Sequence, residues 1–113
     1  MSKAIAISKH VRISPRKARL AADLIRGLRV PAATSQLMFS QLKGGRLLKK
    51  TLDSAVANAE TQLDARREDL IVNEVRVDQG RVLKRAKPKN RGGRHPILKR
   101  TSHFTIVVST SKE

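Results

Sequence analysis

Lysine and arginine are the side chains with the most chemistry to offer here, and what they offer is positive charge for phosphate. From Lys84 to Arg100 the chain reads KRAKPKNRGGRHPILKR, with no carboxylate and with Ala86, Ile97 and Leu98 as its apolar side chains. Such a run repels itself in water and cannot build a core. It implies an outside source of negative charge, because steering and counterion release both scale with basic contacts. A second basic group, Arg16, Lys17 and Arg19, lies in SPRKARLAADLIRG, with His10 and Arg12 just before it. A helix starting at that point adds free N–H groups and a dipole to those cations, which makes a natural phosphate site.

Catalytic chemistry fits poorly. His10, His95 and His103 have no cysteine, no nearby carboxylate pair and no metal-ligand spacing. His95 and His103 sit in basic sequence, where phosphate contact or a solvated surface is expected ahead of acid–base work. RGGR lacks the strand-to-helix setting and lysine spacing of a nucleotide-binding loop. With no cysteine, disulfides and thiolate metal sites are excluded, and no cofactor or metal is expected.

The whole chain supports the same chemistry. At 113 residues it is one domain, 1–113, with 25 Lys and Arg against 9 Asp and Glu and a formal charge of +16. The charge is uneven. Residues 1–52 carry 12 basic residues against the single acid Asp23, and 79–113 carry 10 against Glu113. Residues 53–78 reverse the balance, with seven acids and three bases. Two ends are therefore built for a polyanion and the middle can face water. Phe39 and Phe104 are the only aromatics, too few for a base-stacking platform, so phosphate and shape should dominate recognition. No apolar stretch approaches membrane-spanning length and AIAI is too short for a signal peptide, so the cytoplasm is the default compartment.

The elements that must position these groups can be read in order. Ile5, Ile7, Val11 and Ile13 alternate with small or polar residues, which predicts an edge or half-buried strand with those four on its apolar face. Ser14 is a good N-cap, Pro15 suits the first helical position and Gly27 a C′ position, so the first helix spans about Pro15 to Arg26. Pro31 opens a second, short helix that should carry Leu37 and Met38 to the core. Gly44-Gly45 reads as a break before a third helix, about Arg46 to Leu63. Its stripe is Leu48, Leu52, Ala55, Val56, Ala59 and Leu63. Asn58 and Glu60 on that helix are expected to make local hydrogen bonds and face solvent. LDARRED reads as a loop. Strand patterning returns from Leu70 to Leu83 and again from about His103 to Ser109, with Phe104, Ile106 and Val108 on one face.

The basic run joins these last two strands, and Gly92-Gly93 is a turn pair, so a β-hairpin over about 81–102 is predicted. Ten residues of arm would project roughly 30 Å. Pro88 and Pro96 each remove a donor and predict an irregular tip. Like charges on neighbouring arms predict poor order without phosphate. The fold class is α+β: one strand, three helices, then two strands forming a small antiparallel sheet with a long protruding hairpin.

SPRKARLAADLIRG, SAVANAE, VDQG, LKR and KRTSHFTIVV, in this order and spacing, resemble the bacterial-type family of large-subunit ribosomal protein number twenty-two. The resemblance covers about Ile13 to Ser109. It implies a structural constituent of the large ribosomal subunit that binds several domains of 23S rRNA and supports assembly. It also implies neighbouring ribosomal proteins as partners and a hairpin tip that lines the nascent-peptide exit tunnel. Carried onto this chain, the rRNA-binding set is Arg12, Arg16, Lys17, Arg19, Lys84, Arg85, Lys87, Lys89, Arg91, Arg94, Lys99, Arg100 and His103. The tunnel tip is Lys87, Pro88, Lys89, Asn90, Arg91, Gly92, Gly93 and Arg94. Neither a membrane nor a stable homo-oligomer is expected. The tip here reads Lys89-Asn90-Arg91-Gly92-Gly93 where the family often has Arg-Ala-x-Gly-Arg, with the segment length kept.

Two rival classes follow from charge alone. A histone-like DNA-bending protein would use the prolines as minor-groove wedges, but it needs a dimer surface that the sequence does not display. A membrane-active cationic protein needs a large apolar face opposite the basic one, which the run lacks.

Overall fold

The computed structural model describes residues 3–88 and 94–110, the side chains of 85–88 and 94–97 excepted. The chain runs β1 (Lys3–Val11), α1 (Pro15–Ile25), α2 (Val30–Met38), α3 (Lys43–Leu63) and a 3₁₀ turn (Arg67–Asp69). It continues through β2 (Leu70–Gln79), β3 (Leu83–Pro88), β4 (Arg94–Lys99) and β5 (Ser102–Thr110). The α+β class holds. The expected strands at 70–83 and 103–109 are found as β2 and β5, which join β1 in an antiparallel sheet of order β1-β5-β2, and the hairpin expected between them forms a separate two-stranded ribbon of β3 and β4. LDARRED is not all loop, since Arg67–Asp69 closes a 3₁₀ turn.

The core lies between one face of the three-stranded sheet and the helices. Phe104, Ile106 and Val108 of β5 are fully buried, as are Ala18, Ala21, Ala22 and Ile25 of α1 and Leu48, Leu52, Ala55 and Ala59 of α3. Ser14 caps α1 by accepting from the Lys17 N–H at 3.4 Å, and Gly27 adopts φ +83° just past the C-cap.

Five expectations change. Ile5 and Ile7 are 47% and 54% exposed, and Ala4 and Ala6 take the buried face of β1 instead. The small side chains let α3 lie close to the strand. Asn58 of α3 donates to the Ile5 carbonyl at 3.0 Å, a long-range bond where a local one was expected, and Ser8 Oγ meets Thr51 Oγ1 at 2.8 Å. A bulge between Ser8 and Val11, with His10 at φ +59°, then shifts the phase and brings Ile13 into the core. Met38 is 57% exposed, and Leu37 alone of that pair is buried.

Gly44 and Gly45 are buried inside α3, which starts at Lys43. A Cβ on Gly44 would stand 3.3 Å from both Ala18 Cα and Ile13 Cδ1, so the glycine permits a close α1–α3 crossing. That contact offsets the roughly 1 kcal/mol that glycine costs in a helix. Lastly, the ribbon ladder runs through both prolines, with Ala86 opposite Pro96 and Pro88 opposite Arg94. Each strand of a two-stranded ribbon is an edge. The two proline pairs are two residues apart and so share one phase of the ladder, and a proline's missing donor is tolerated on an edge.

The ribbon gives the molecule its shape. The principal extents are 65 × 24 × 17 Å and the radius of gyration is 17.0 Å. A compact chain of this length would have about 13 Å.

Candidate nucleic-acid interface

The interface begins where the sheet ends. Gly80 N donates to the Thr101 carbonyl at 2.9 Å, and Thr101 Oγ1 donates to the Arg81 carbonyl at 2.6 Å. A Cβ on Gly80 would fall 2.5 Å from Thr101 Oγ1, so only glycine closes this junction. Past it the ribbon departs from the domain, and each arm packs chiefly on the other.

The junction returns Arg100 to the start of α1. A hollow of about 660 Å³ is lined by Ile13, Ser14, Lys17, Leu20, Leu42, Lys43, Gly44, Leu98 and Arg100. A second, of about 380 Å³, is lined by Ser14, Pro15, Arg16, Arg19, Gln79 and Arg100. Basic groups some eighty residues apart in sequence thus share one acid-free surface. Arg12, Arg16, Lys17, Lys84, Lys99 and Arg100 are all exposed. The ion pairs among the described residues join Arg26 to Asp23, Lys49 and Arg67 to Asp53, and Arg76 to Glu74. They engage none of Arg12, Arg16, Lys17, Lys99 or Arg100.

Two of the sequence-assigned contacts have structural work as well. Arg19 donates to the Val77 carbonyl through Nε at 3.3 Å and Nη2 at 3.0 Å. Two turns on, Arg26 donates to the Val75 carbonyl at 2.9 Å. β2 is an edge strand, so these two guanidinium groups cap carbonyls that face away from β5. Gly27 N and the Leu28 carbonyl pair with Val72 further along the same edge. His103 Nδ1 accepts the His10 N–H at 3.1 Å, and the two rings meet edge-on at 4.9 Å. The bond pins the left-handed His10 and, in a neutral ring, leaves the proton on Nε2.

Arg85, Lys87 and Arg94 lie on the ribbon ladder, as do Pro88 and Lys84. Lys89, Asn90, Arg91, Gly92 and Gly93 lie outside the described residues. Sequence reasoning missed Lys43 and the leucines around it. The signal was Lys43 before Gly44-Gly45, which read as a break when it opens a helix.

The acidic block is elsewhere. α3 carries Glu60 toward its far end, about 25 Å from Lys43 at 1.5 Å per residue, with Asp64, Glu68 and Asp69 following. Among the described residues no group of three His, Asp or Glu could hold a metal, and no helix is long and apolar enough to cross a membrane.

The family model for ribosomal protein L22p/L17e matches residues 6–109. The chain belongs to the ribosomal protein L22p/L17e family. It is 80% identical over 109 residues to the large ribosomal subunit protein uL22 of Protochlamydia amoebophila, covering 96% of this chain and 98% of that protein. The uL22 proteins of Chlamydia abortus and Chlamydia trachomatis serovar L2 are 64% and 59% identical over 103 residues, covering 91% of this chain and 93% of each relative. Membership of L22p/L17e makes the chain a ribosomal protein, a structural component of a ribonucleoprotein engaged in translation. The family is not one of enzymes.

Proposed function

We propose that this L22-family chain is built into the large ribosomal subunit and holds 23S rRNA by phosphate and shape contacts. The reading rests most on the convergence of Arg16 and Lys17 with Arg100 around two acid-free hollows. Cations in several directions from one rigid corner can hold more than one rRNA segment together, which is what an assembly protein must do. The ribbon extends the same chemistry away from the domain, with its tip, Lys87 to Arg94, lining the nascent-peptide tunnel. Neighbouring large-subunit proteins and the nascent chain are its other partners, and bacterial relatives support a cytoplasmic ribosome.

Binding of the full chain to 23S rRNA and to duplex DNA at several salt concentrations tests this. The expected result is tighter rRNA binding at every salt and a steep loss of affinity with salt, since each neutralised phosphate adds about 0.7–0.9 to the log–log slope. Equal affinity for DNA at matched salt would leave only a generic polyanion binder.

A further inference from the structure

Three exposed leucines surround the larger hollow, and charge alone does not explain them. Leu20 on α1, Leu42 just before α3 and Leu98 on β4 are each about half exposed, and they face Ile13 across the same space. Lys17, Lys43 and Arg100 stand on the rim with no acid among them. The smaller hollow meets the larger at Ser14 and Arg100, and it has Arg16, Arg19 and Gln79 on its walls. One compartment is apolar with a cationic rim. Its neighbour is polar and cationic. Exposed apolar surface grouped in this way marks a binding site.

The occupant must match both compartments. It needs an apolar, flat part for the leucines and an anionic part within one linkage of it for the arginines. An RNA nucleotide has this form, with its base as the first part and its phosphate as the second. A base in a duplex is stacked and paired and cannot reach the hollow, so the nucleotide must be turned out of its stack. We infer that the two hollows together hold one unstacked rRNA nucleotide, base among Leu20, Leu42 and Leu98, phosphate at Arg16 and Arg100. The inference rests on the rRNA-binding reading above and adds a discrete subsite to it. With leucines in place of aromatics, the subsite selects an extruded base by fit and desolvation. It offers few donors for reading the base edge, so any base that is unstacked at the right place can enter.

The test uses the full chain bound to 23S rRNA, with chemical modification of base edges and affinity at several salts as readouts. The unsubstituted chain should shield at least one unpaired base. The double substitution Leu20→Ser with Leu42→Ser, at two exposed positions, should restore modification of that base. It should also weaken binding about tenfold, the scale expected for two half-exposed leucines, without changing the salt slope. Lys17→Ala should do the reverse, lowering the slope by about one contact and keeping the base shielded. Overturning results are a chain that shields no unpaired base, or a double variant with unchanged protection. Loss of a neighbouring protein from reconstituted subunits with rRNA protection intact would also overturn it, because the leucines would then face protein. If the unsubstituted chain shows no salt-dependent preference for 23S rRNA, the broader reading fails, a result distinct from all of these.

Discussion

The domain and the ribbon follow opposite rules. The domain buries Phe104, Leu48, Leu52 and Ile106 completely, caps its first helix, and covers both sheet edges with side chains from its own helices. Every buried side-chain polar atom among its described residues has a partner. The ribbon has six residues in each arm, no acid in its run and, among the described residues, no layer packed over it. An isolated two-stranded hairpin is marginal in water, and like charges on its arms weaken it further. The domain is therefore stable on account of its own sequence, and we propose that the ribbon is completed by what it binds. The small glycine-threonine junction at Gly80 and Thr101 lets one chain contain both.

The contrast can be broken first at the core. Phe104→Ala should cost about 3–5 kcal/mol and lower Tm sharply in thermal unfolding, whereas deleting 84–99 and closing the gap with a short turn should leave Tm nearly unchanged. An equal loss from the deletion would mean that the ribbon supports the domain. Next is the helix crossing. Gly44→Val should cost about 1–3 kcal/mol, because its side chain would enter the space held by Ala18 and Ile13. A neutral outcome in denaturant unfolding would show that α1 and α3 can move apart freely.

Arg19→Ala should cost about 1 kcal/mol, since it uncovers the Val77 carbonyl at the β2 edge. Amide exchange should then quicken along β2 more than along β1. Smallest in stability is Arg100→Ala, expected within about 0.5 kcal/mol, with its effect appearing in the salt slope for rRNA alone. A fall in Tm with an unchanged slope would move Arg100 from the binding surface to the fold.

Much of the domain was legible because local signals agreed. Ser14, Pro15 and Gly27 bounded α1 within a residue, the α3 stripe named its core, and alternation placed Phe104, Ile106 and Val108 inward. The errors share a cause. Ile5 and Ile7 are more apolar than Ala4 and Ala6, yet the close approach of α3 selects the small residues for the inner face. Gly44 reads as a breaker by propensity, and tertiary contact with Ala18 overrides it. Pro88 and Pro96 forbid an interior strand but not a ribbon with two edges. For the site, the basic residues were legible as types. Their meeting was not, since Lys43, Arg16 and Arg100 are joined only by the packing of α1 on α3 and by the turn at Gly80.

The central claim is that the acid-free corner faces rRNA and the acidic end of α3 faces away. The chain has no cysteine, so a single tether can be placed at will. An iron chelate attached through Lys99→Cys or through Glu60→Cys, in assembled large subunits, would generate hydroxyl radicals beside each face. The account predicts strong 23S rRNA cleavage from position 99 and little from position 60. Equal cleavage from both, or stronger cleavage from position 60, would contradict it.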